Sequence, residues 1–265
     1  MPDDDVELAV AAARAGAAVV RERYGTALAR HDKGGGDFAT SADLDAERAI
    51  VDLLRTARPG DAVTGEESGD SGPAGADRRW LVDPLCGTVN YAAHTTLVAV
   101  NVALRAGAET VAAAAADPFA DEVYWTDGAT AALRHADRDD PLVPSARSGL
   151  VDVNLDPPYP NAAWFRAVRL LADPGFTARF RPRVLATSLP LTWVAAGRRA
   201  GYVTDGPLAH TVHGAAGVAL CQAAGAVVSD LDGAPLGTGT GGLVAAADHA
   251  THAALIDLVA AQATG

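Results

Sequence analysis

Apolar positions change their period several times along the chain, and each change marks an element. Over residues 6–30 alanine and valine recur at helical spacing with arginines on the other side, predicting one long helix broken by Gly34, Gly35 and Gly36. A second helix is predicted from a start signal in residues 37–47, through the apolar period Ile50, Leu53 and Leu54, to a stop near Pro59. Residues 62–64 and 79–82 read as short buried strands. The second is ended by Asp83-Pro84, because proline donates nothing to a ladder and restricts the residue before it. Residues 96–105 and 109–117 are β-like runs parted by Ala106-Gly107, the pattern of an antiparallel hairpin. Residues 121–126 add a strand before a turn at Asp127-Gly128-Ala129, and residues 135–148 read as loop.

Beyond Gly149 the two periods alternate. Residues 150–153, 183–186 and 200–204 read as strands, and residues 162–172 and 189–198 as helices, which is the pattern of a sheet covered by helices. The fold class is therefore α/β, in two lobes divided as residues 1–148 and 149–265. Arg179, Arg181 and Arg183 alternate, so an extended segment would put all three on one face. That face is either solvated or a receiver of phosphate or carboxylate.

Composition narrows the function classes. At 265 residues the chain buries a substantial core, but aromatics are only 5%, so close packing of alanine, valine and leucine must supply it. A formal charge of −12 argues against sequence-independent nucleic-acid binding, which needs a positive surface. No apolar run reaches the roughly twenty residues of a membrane span, and Met-Pro-Asp-Asp-Asp is unlike the basic start of a signal peptide. The expectation is a cytoplasmic protein with no membrane or nucleic-acid partner. Its two cysteines are then reduced; Cys221 reads as a small core hydrophobe, whereas Cys86 lies in a glycine-bearing loop beside an acid.

Candidate chemistry gathers around Trp80-Leu-Val-Asp83-Pro-Leu-Cys86-Gly-Thr88-Val-Asn90-Tyr91 and the upstream Gly65-Glu66-Glu67-Ser68. Glu66 and Asp83 stand at strand ends, an oxygen-rich pair suited to Mg²⁺. The backbone of Gly87 and Thr88 is placed to cradle an anion. Alone, Asp43 reads as a helix-capping acid, Lys33 as a solvated loop lysine and Ser188 as the N-cap of the next helix.

The first segment resembles the W-x-[IV]-D-P-[IL]-D-G-T-x-N-[FY] signature of the lithium-sensitive, magnesium-dependent phosphomonoesterases typified by inositol monophosphatases. It matches at Trp80, Asp83, Pro84, Leu85, Gly87, Thr88, Asn90 and Tyr91 and departs at Cys86, where the family has an aspartate. Thr40, Asp43 and Glu47 match the family's T-x-x-D-x-x-x-E. His213-Gly-Ala215-Ala216-Gly217 aligns with its W-D-x-A-A-G, with His213 for the aspartate and Val212 for the tryptophan.

The resemblance implies a layered αβαβα sandwich of the inositol monophosphatase type, with the site between two lobes, and homodimers are common in the family. It implies a Mg²⁺ site of Glu66, Asp83 and the Leu85 carbonyl, with Asp43 and Thr88 orienting the attacking water. It places Lys33, Gly87, Thr88 and Ser188 at substrate. A second metal position would be Asp83, Cys86 and His213, a poor shell for Mg²⁺ and a fitting one for Zn²⁺. The expected function is an enzyme acting on a small phosphorylated sugar, polyol or nucleotide, with weak or absent Mg²⁺-dependent phosphatase turnover. The alternatives are a non-hydrolytic tailoring reaction through Cys86 and His213, or a phosphate-binding pseudoenzyme.

Overall fold

A computed structural model describes residues 4–34, 37–136, 138–155 and 167–263. Helix α1 (Asp5–Arg23) is capped by Asp4, whose carboxylate accepts from the Val6 amide. It is shorter than its apolar period suggests. Tyr24 is extended and packs edge-on against Tyr91 and Phe119, and the chain then forms a hairpin of β1 (Arg30–Gly34) and β2 (Asp37–Thr40). Helix α2 (Ser41–Ala57) starts from a capping box in which Thr40 and Asp43 satisfy each other's backbone.

There follow β3 (Ala62–Gly65), β4 (Gly69–Ser71), β5 (Arg78–Cys86), the short α3 (Thr88–Ala92), β6 (Ala99–Ala106), β7 (Glu109–Asp117), β8 (Glu122–Thr126), β9 (Ala131–His135) and β10 (Arg138–Pro141). The eight strands after the hairpin form one sheet in the order β10-β9-β8-β7-β6-β5-β3-β4, antiparallel except where β3 meets β5. The second half contains β11 (Leu150–Asn154), α4 (Val168–Ala172), α5 (Pro174–Arg179), β12 (Arg181–Val184), α6 (Leu189–Ala195), β13 (Gly201–Thr204), α7 (Ala215–Ala224), β14 (Val227–Ser229), β15 (Leu243–Ala246) and α8 (His249–Ala263). Its sheet runs β12-β11-β13-β15-β14.

Three apolar cores hold five layers together. Alternate residues of β5 and β6, among them Trp80, Val82, Val100, Val102 and Leu104, face α1 and α2. Leu81, Ala103, Ala113 and Ala115 face the other way, onto α6 and α7, which in turn cover the second sheet. Phe176, Phe180, Leu255 and Val259 close the far face of that sheet. The result is the expected αβαβα sandwich. The same alternation sends Asp83 and its register partner Asn101 toward the layer of α6 and α7.

Several expectations are corrected. Strand β5 runs through Asp83-Pro84 to Cys86, because its register with β6 shifts between Asp83 and Cys86, and a proline is tolerated at such a bulge. Residues 135–148 are largely structured: β9 and β10 form a charged hairpin at the sheet edge, held by Arg134 on Glu7 and Asp139, so little apolar signal marks it. Arg179 ends α5, so only Arg181 and Arg183 share β12. The expected helix over residues 162–172 lies partly outside the described residues, as do Gly35 and Gly36; its described end is α4. No described helix is long and apolar enough to cross a membrane.

Candidate active site

The first wall of the site is built locally. Asp43 is fully buried, and its Oδ2 accepts from the Thr40 amide (2.8 Å) and hydroxyl (2.6 Å), while Oδ1 accepts from the Thr88 hydroxyl (2.8 Å). It is thus a helix cap and a site residue at once. Glu47, one turn on and 4% exposed, accepts the Glu67 and Ser68 amides with its two oxygens at 2.8 Å each. That clamp fixes the turn carrying Glu66. It needs Gly65 beside it, since a Cβ there would lie 2.6 Å from the Glu47 carboxyl carbon. Lys33 reaches over from β1 to Glu66 Oε1 (3.0 Å) and Glu67 Oε1 (2.7 Å), so it is not the solvated lysine its loop setting suggests.

The second wall is assembled from distant segments. Nδ1 of His213, just before α7, donates to Asp83 Oδ2 at 2.8 Å. Asp83, Cys86 and His213 each offer a donor atom, all within 4.8 Å of one another. The Ser188 amide donates to Cys86 Sγ (3.2 Å), and the Thr187 hydroxyl to the Cys86 carbonyl (3.1 Å). Ser188 stands at the N-cap position of α6 without capping it. Its hydroxyl instead accepts from Asn101 Nδ2 (2.8 Å), which turns the preferred reading of Ser188 into a site contact. Gly87 takes φ +109°, and a Cβ there would be 2.9 Å from the Leu97 carbonyl, so only glycine lets the chain turn into α3.

Between the walls lies a cavity of about 150 Å³, bordered by Glu66, Leu85, Cys86, Gly87, Thr88, Ser188 and His213, together with Asp37, Asn154, Thr187 and Leu208. Its electrostatics are unbalanced. Burial and the neighbouring Asp83 charge push Glu66 up to about 9. Asp83 is also pushed up by burial, yet the His213 charge and hydrogen bond hold it below the usual carboxylate range. Burial would lower the His213 imidazole, but Asp83, Cys86 and Glu66 raise it to about 12. Cys86 is half-buried as a residue, yet its sulfur is enclosed, and burial followed by the Asp83 charge pushes the thiol up to about 12.

These groups fit a cation. Glu66 Oε2 is buried with no hydrogen-bond partner among the described residues. The described residues lining the cavity include two carboxylates and neither lysine nor arginine, and the His213 charge is already paired with Asp83, so an anionic substrate there needs further positive charge. Glu66, Asp83 and the Leu85 carbonyl are hard oxygen donors of the kind Mg²⁺ takes. A carboxylate, a thiol sulfur and an imidazole with an open side match a catalytic Zn²⁺ donor set.

Seven of the ten candidate residues line this cavity, and the other three, Lys33, Asp43 and Asp83, bond to lining residues Glu66, Thr88 and His213. Asn101 was not among them. It is buried, donates to Ser188 and, at 3.4 Å, to Asp83 Oδ2, and its only signal was an amide inside the apolar run Val100-Asn101-Val102. Glu47 was visible as a motif match but carried no assigned role. Cys221 is a core residue as expected, its thiol donating to the Leu191 carbonyl.

The model of the family described as "Inositol monophosphatase family" matches residues 1–263. Inositol-1-monophosphatase ImpA of Mycolicibacterium smegmatis is 35% identical over 86% of this chain and 82% of its own. Nus factor SuhB of Escherichia coli is 31% identical over 96% and 95%. Among solved structures, the extragenic suppressor protein suhB of Bartonella henselae superposes with a TM-score of 0.83 at 26% identity, covering 95% of this chain and 97% of that one. An IMPase from Thermotoga maritima, at 20% identity, shares the fold with a TM-score of 0.81, covering 96% of each chain.

Proposed function

The chain belongs to the inositol monophosphatase family, whose relatives include proteins named inositol-1-monophosphatase beside others named Nus factor SuhB, and from that premise we propose a hydrolase of small phosphate monoesters with a reworked second metal position. The observation that carries the reading is the convergence of Asp83, Cys86 and His213 within 4.8 Å beside an otherwise family-like wall. In this reading Glu66, Asp83 and the Leu85 carbonyl hold Mg²⁺, while Asp83, Cys86 and His213 hold Zn²⁺. When bound, such ions supply charge for the phosphoryl oxygens and make water a better nucleophile at neutral pH.

The chain's own residues do the rest. Thr88 gives its proton to Asp43, which leaves its hydroxyl lone pairs to accept from a water and aim it at phosphorus. Burial raises Asp43, against the hydrogen bonds from Thr40 and Thr88, toward the strength a general base needs. Ser188, held by Asn101, and the Gly87–Thr88 backbone border the phosphate side of the cavity.

Turnover of a panel of sugar, polyol and nucleotide monophosphates should be weak with Mg²⁺ alone and stronger with Zn²⁺ added. Cys86→Asp combined with His213→Asp should raise the Mg²⁺-dependent rate by about tenfold or more; no gain would sink the metal-position account. A second reading, a phosphate-binding protein without turnover, is favoured by the replacement of two ligands at one position. Phosphate binding by calorimetry, with no hydrolysis under any metal in either protein, would select it.

A further inference from the structure

Asn101 of β6 is 1% exposed and stands in register with Asp83 of β5. Its Nδ2 donates to Ser188 Oγ at 2.8 Å and to Asp83 Oδ2 at 3.4 Å, while its Oδ1 is buried with no hydrogen-bond partner among the described residues. A buried carbonyl oxygen left without a donor is costly, so this orientation needs a cause. Reversing the amide would let Oδ1 accept from the Ser188 hydroxyl, but it would also set that oxygen against the Asp83 carboxylate. The Asp83 charge therefore keeps the NH₂ group inward. The Ser188 hydroxyl is left as an acceptor toward Asn101, with its own proton free to donate elsewhere.

Ser188 already faces Cys86. Its backbone N–H donates to Cys86 Sγ at 3.2 Å. Burial and then the Asp83 charge push the Cys86 thiol up, and the His213 and Ser188 side chains pull it back toward the thiolate. The segment before Ser188 is tied to the same loop twice more: Asn90 Nδ2 donates to the Ala186 carbonyl at 3.0 Å, and the Thr187 hydroxyl donates to the Cys86 carbonyl at 3.1 Å. We propose that Asn101 is a positioning residue for the Cys86 sulfur, holding Ser188 so that the serine amide and hydroxyl both donate to that sulfur when it serves as a thiolate ligand. The proposal rests on the second metal position of the preceding reading and adds what lies behind it. Groups outside the ligand set orient a ligand and tune metal affinity, and hydrogen bonds to a metal-bound sulfur are one such lever. Through Ser188 and its own contact with Asp83, one buried amide reaches two of the three groups at this position.

The test uses Co²⁺ as a probe on the full chain, because its near-ultraviolet charge-transfer band reports on a bound sulfur. The unaltered protein should show that band, and Cys86→Ala should lose it. Asn101→Leu and Ser188→Ala should each move the band to longer wavelength, since a sulfur with fewer hydrogen-bond donors gives up its electrons more easily, and each should weaken Co²⁺ binding by about 10–100-fold. Because both act through one serine hydroxyl, the loss in the double variant should fall well short of the product of the two single losses. A full product would overturn the proposal. So would an Asn101→Leu protein that melts lower without metal yet keeps the band position and the affinity, since Asn101 would then be structural only. Ser188→Ala removes a single oxygen atom and keeps the question answerable if Asn101→Leu does not fold; an unmoved band there would also overturn the proposal. Absence of any sulfur band in the unaltered protein would overturn the second metal position itself, and the proposal with it.

Discussion

The two walls of the candidate active-site cavity are made in different ways. The wall of Asp43, Glu47, Glu66 and Thr88 is contributed within residues 40–88; backbone amides hold Glu47, an amide and two hydroxyls hold Asp43, and Lys33 holds Glu66. The wall of Cys86, Ser188 and His213 depends on pairs about a hundred residues or more apart, Ser188 with Cys86 and His213 with Asp83. By the sequence resemblance, the first keeps the signature residues Thr40, Asp43, Glu47 and Thr88, while the second carries both departures, Cys86 and His213. In the proposed reading the half that positions water is held rigidly and the half that meets it varies, with Asp83 common to both.

The sharpest way to break this comparison is to remove what the walls share. Asp83→Asn should abolish metal binding at both positions and lower turnover on the order of 10³-fold, the scale of a several-kcal/mol loss of charge stabilisation. Calorimetric titration with Mg²⁺ and Zn²⁺ together with rate measurements checks it; retention of either metal would show that the walls do not meet at Asp83. Next in size, Asp43→Asn should cut kcat by about 10²-fold while leaving metal affinity unchanged, because it touches water through Thr88 and not the ligands. A parallel loss of metal affinity would contradict that division.

Much of the first wall was legible in the sequence because its logic is local. Thr40 and Asp43 announce a capping box, and Gly65-Glu66 and Asp83-Pro84 sit at recognisable strand ends. The second wall was reachable only through the family resemblance, since no periodicity shows that His213 meets Asp83. Asn101 stayed hidden because strand alternation fixes which face a residue takes, not what waits on that face. The β9–β10 hairpin was missed for the opposite reason: its strands are short, charged and at a sheet edge, so their pairing leaves little apolar pattern.

Two smaller perturbations sharpen the contrast. Glu47→Gln should weaken Mg²⁺ binding by about 10–100-fold, the usual effect of losing a group that orients a ligand, with kcat recovering at saturating Mg²⁺. Unchanged affinity would reduce Glu47 to a purely structural clamp. The smallest effect concerns the link between the two halves, where Arg198 grips Glu122 through both nitrogens at 2.7 Å. Burial raises Glu122, but the Arg198 and Tyr124 hydrogen bonds and the Arg198 charge hold it below its ordinary 4.5. Its stabilisation is therefore fully present above pH 4.5 and fades as pH falls through the lowered folded value. The melting difference between the unaltered protein and Glu122→Gln should shrink across that window, amounting to about 1 kcal/mol or less above it after solvent screening; a difference independent of pH would show that the charge is not what matters.

The most direct measurement is zinc K-edge absorption and anomalous scattering from protein purified without chelators and supplied with both Mg²⁺ and Zn²⁺. The account predicts zinc bound by one sulfur at roughly 2.3 Å and one imidazole nitrogen at roughly 2.0 Å, lying between Asp83, Cys86 and His213. Zinc absent from that position, or present without a sulfur neighbour, would contradict it.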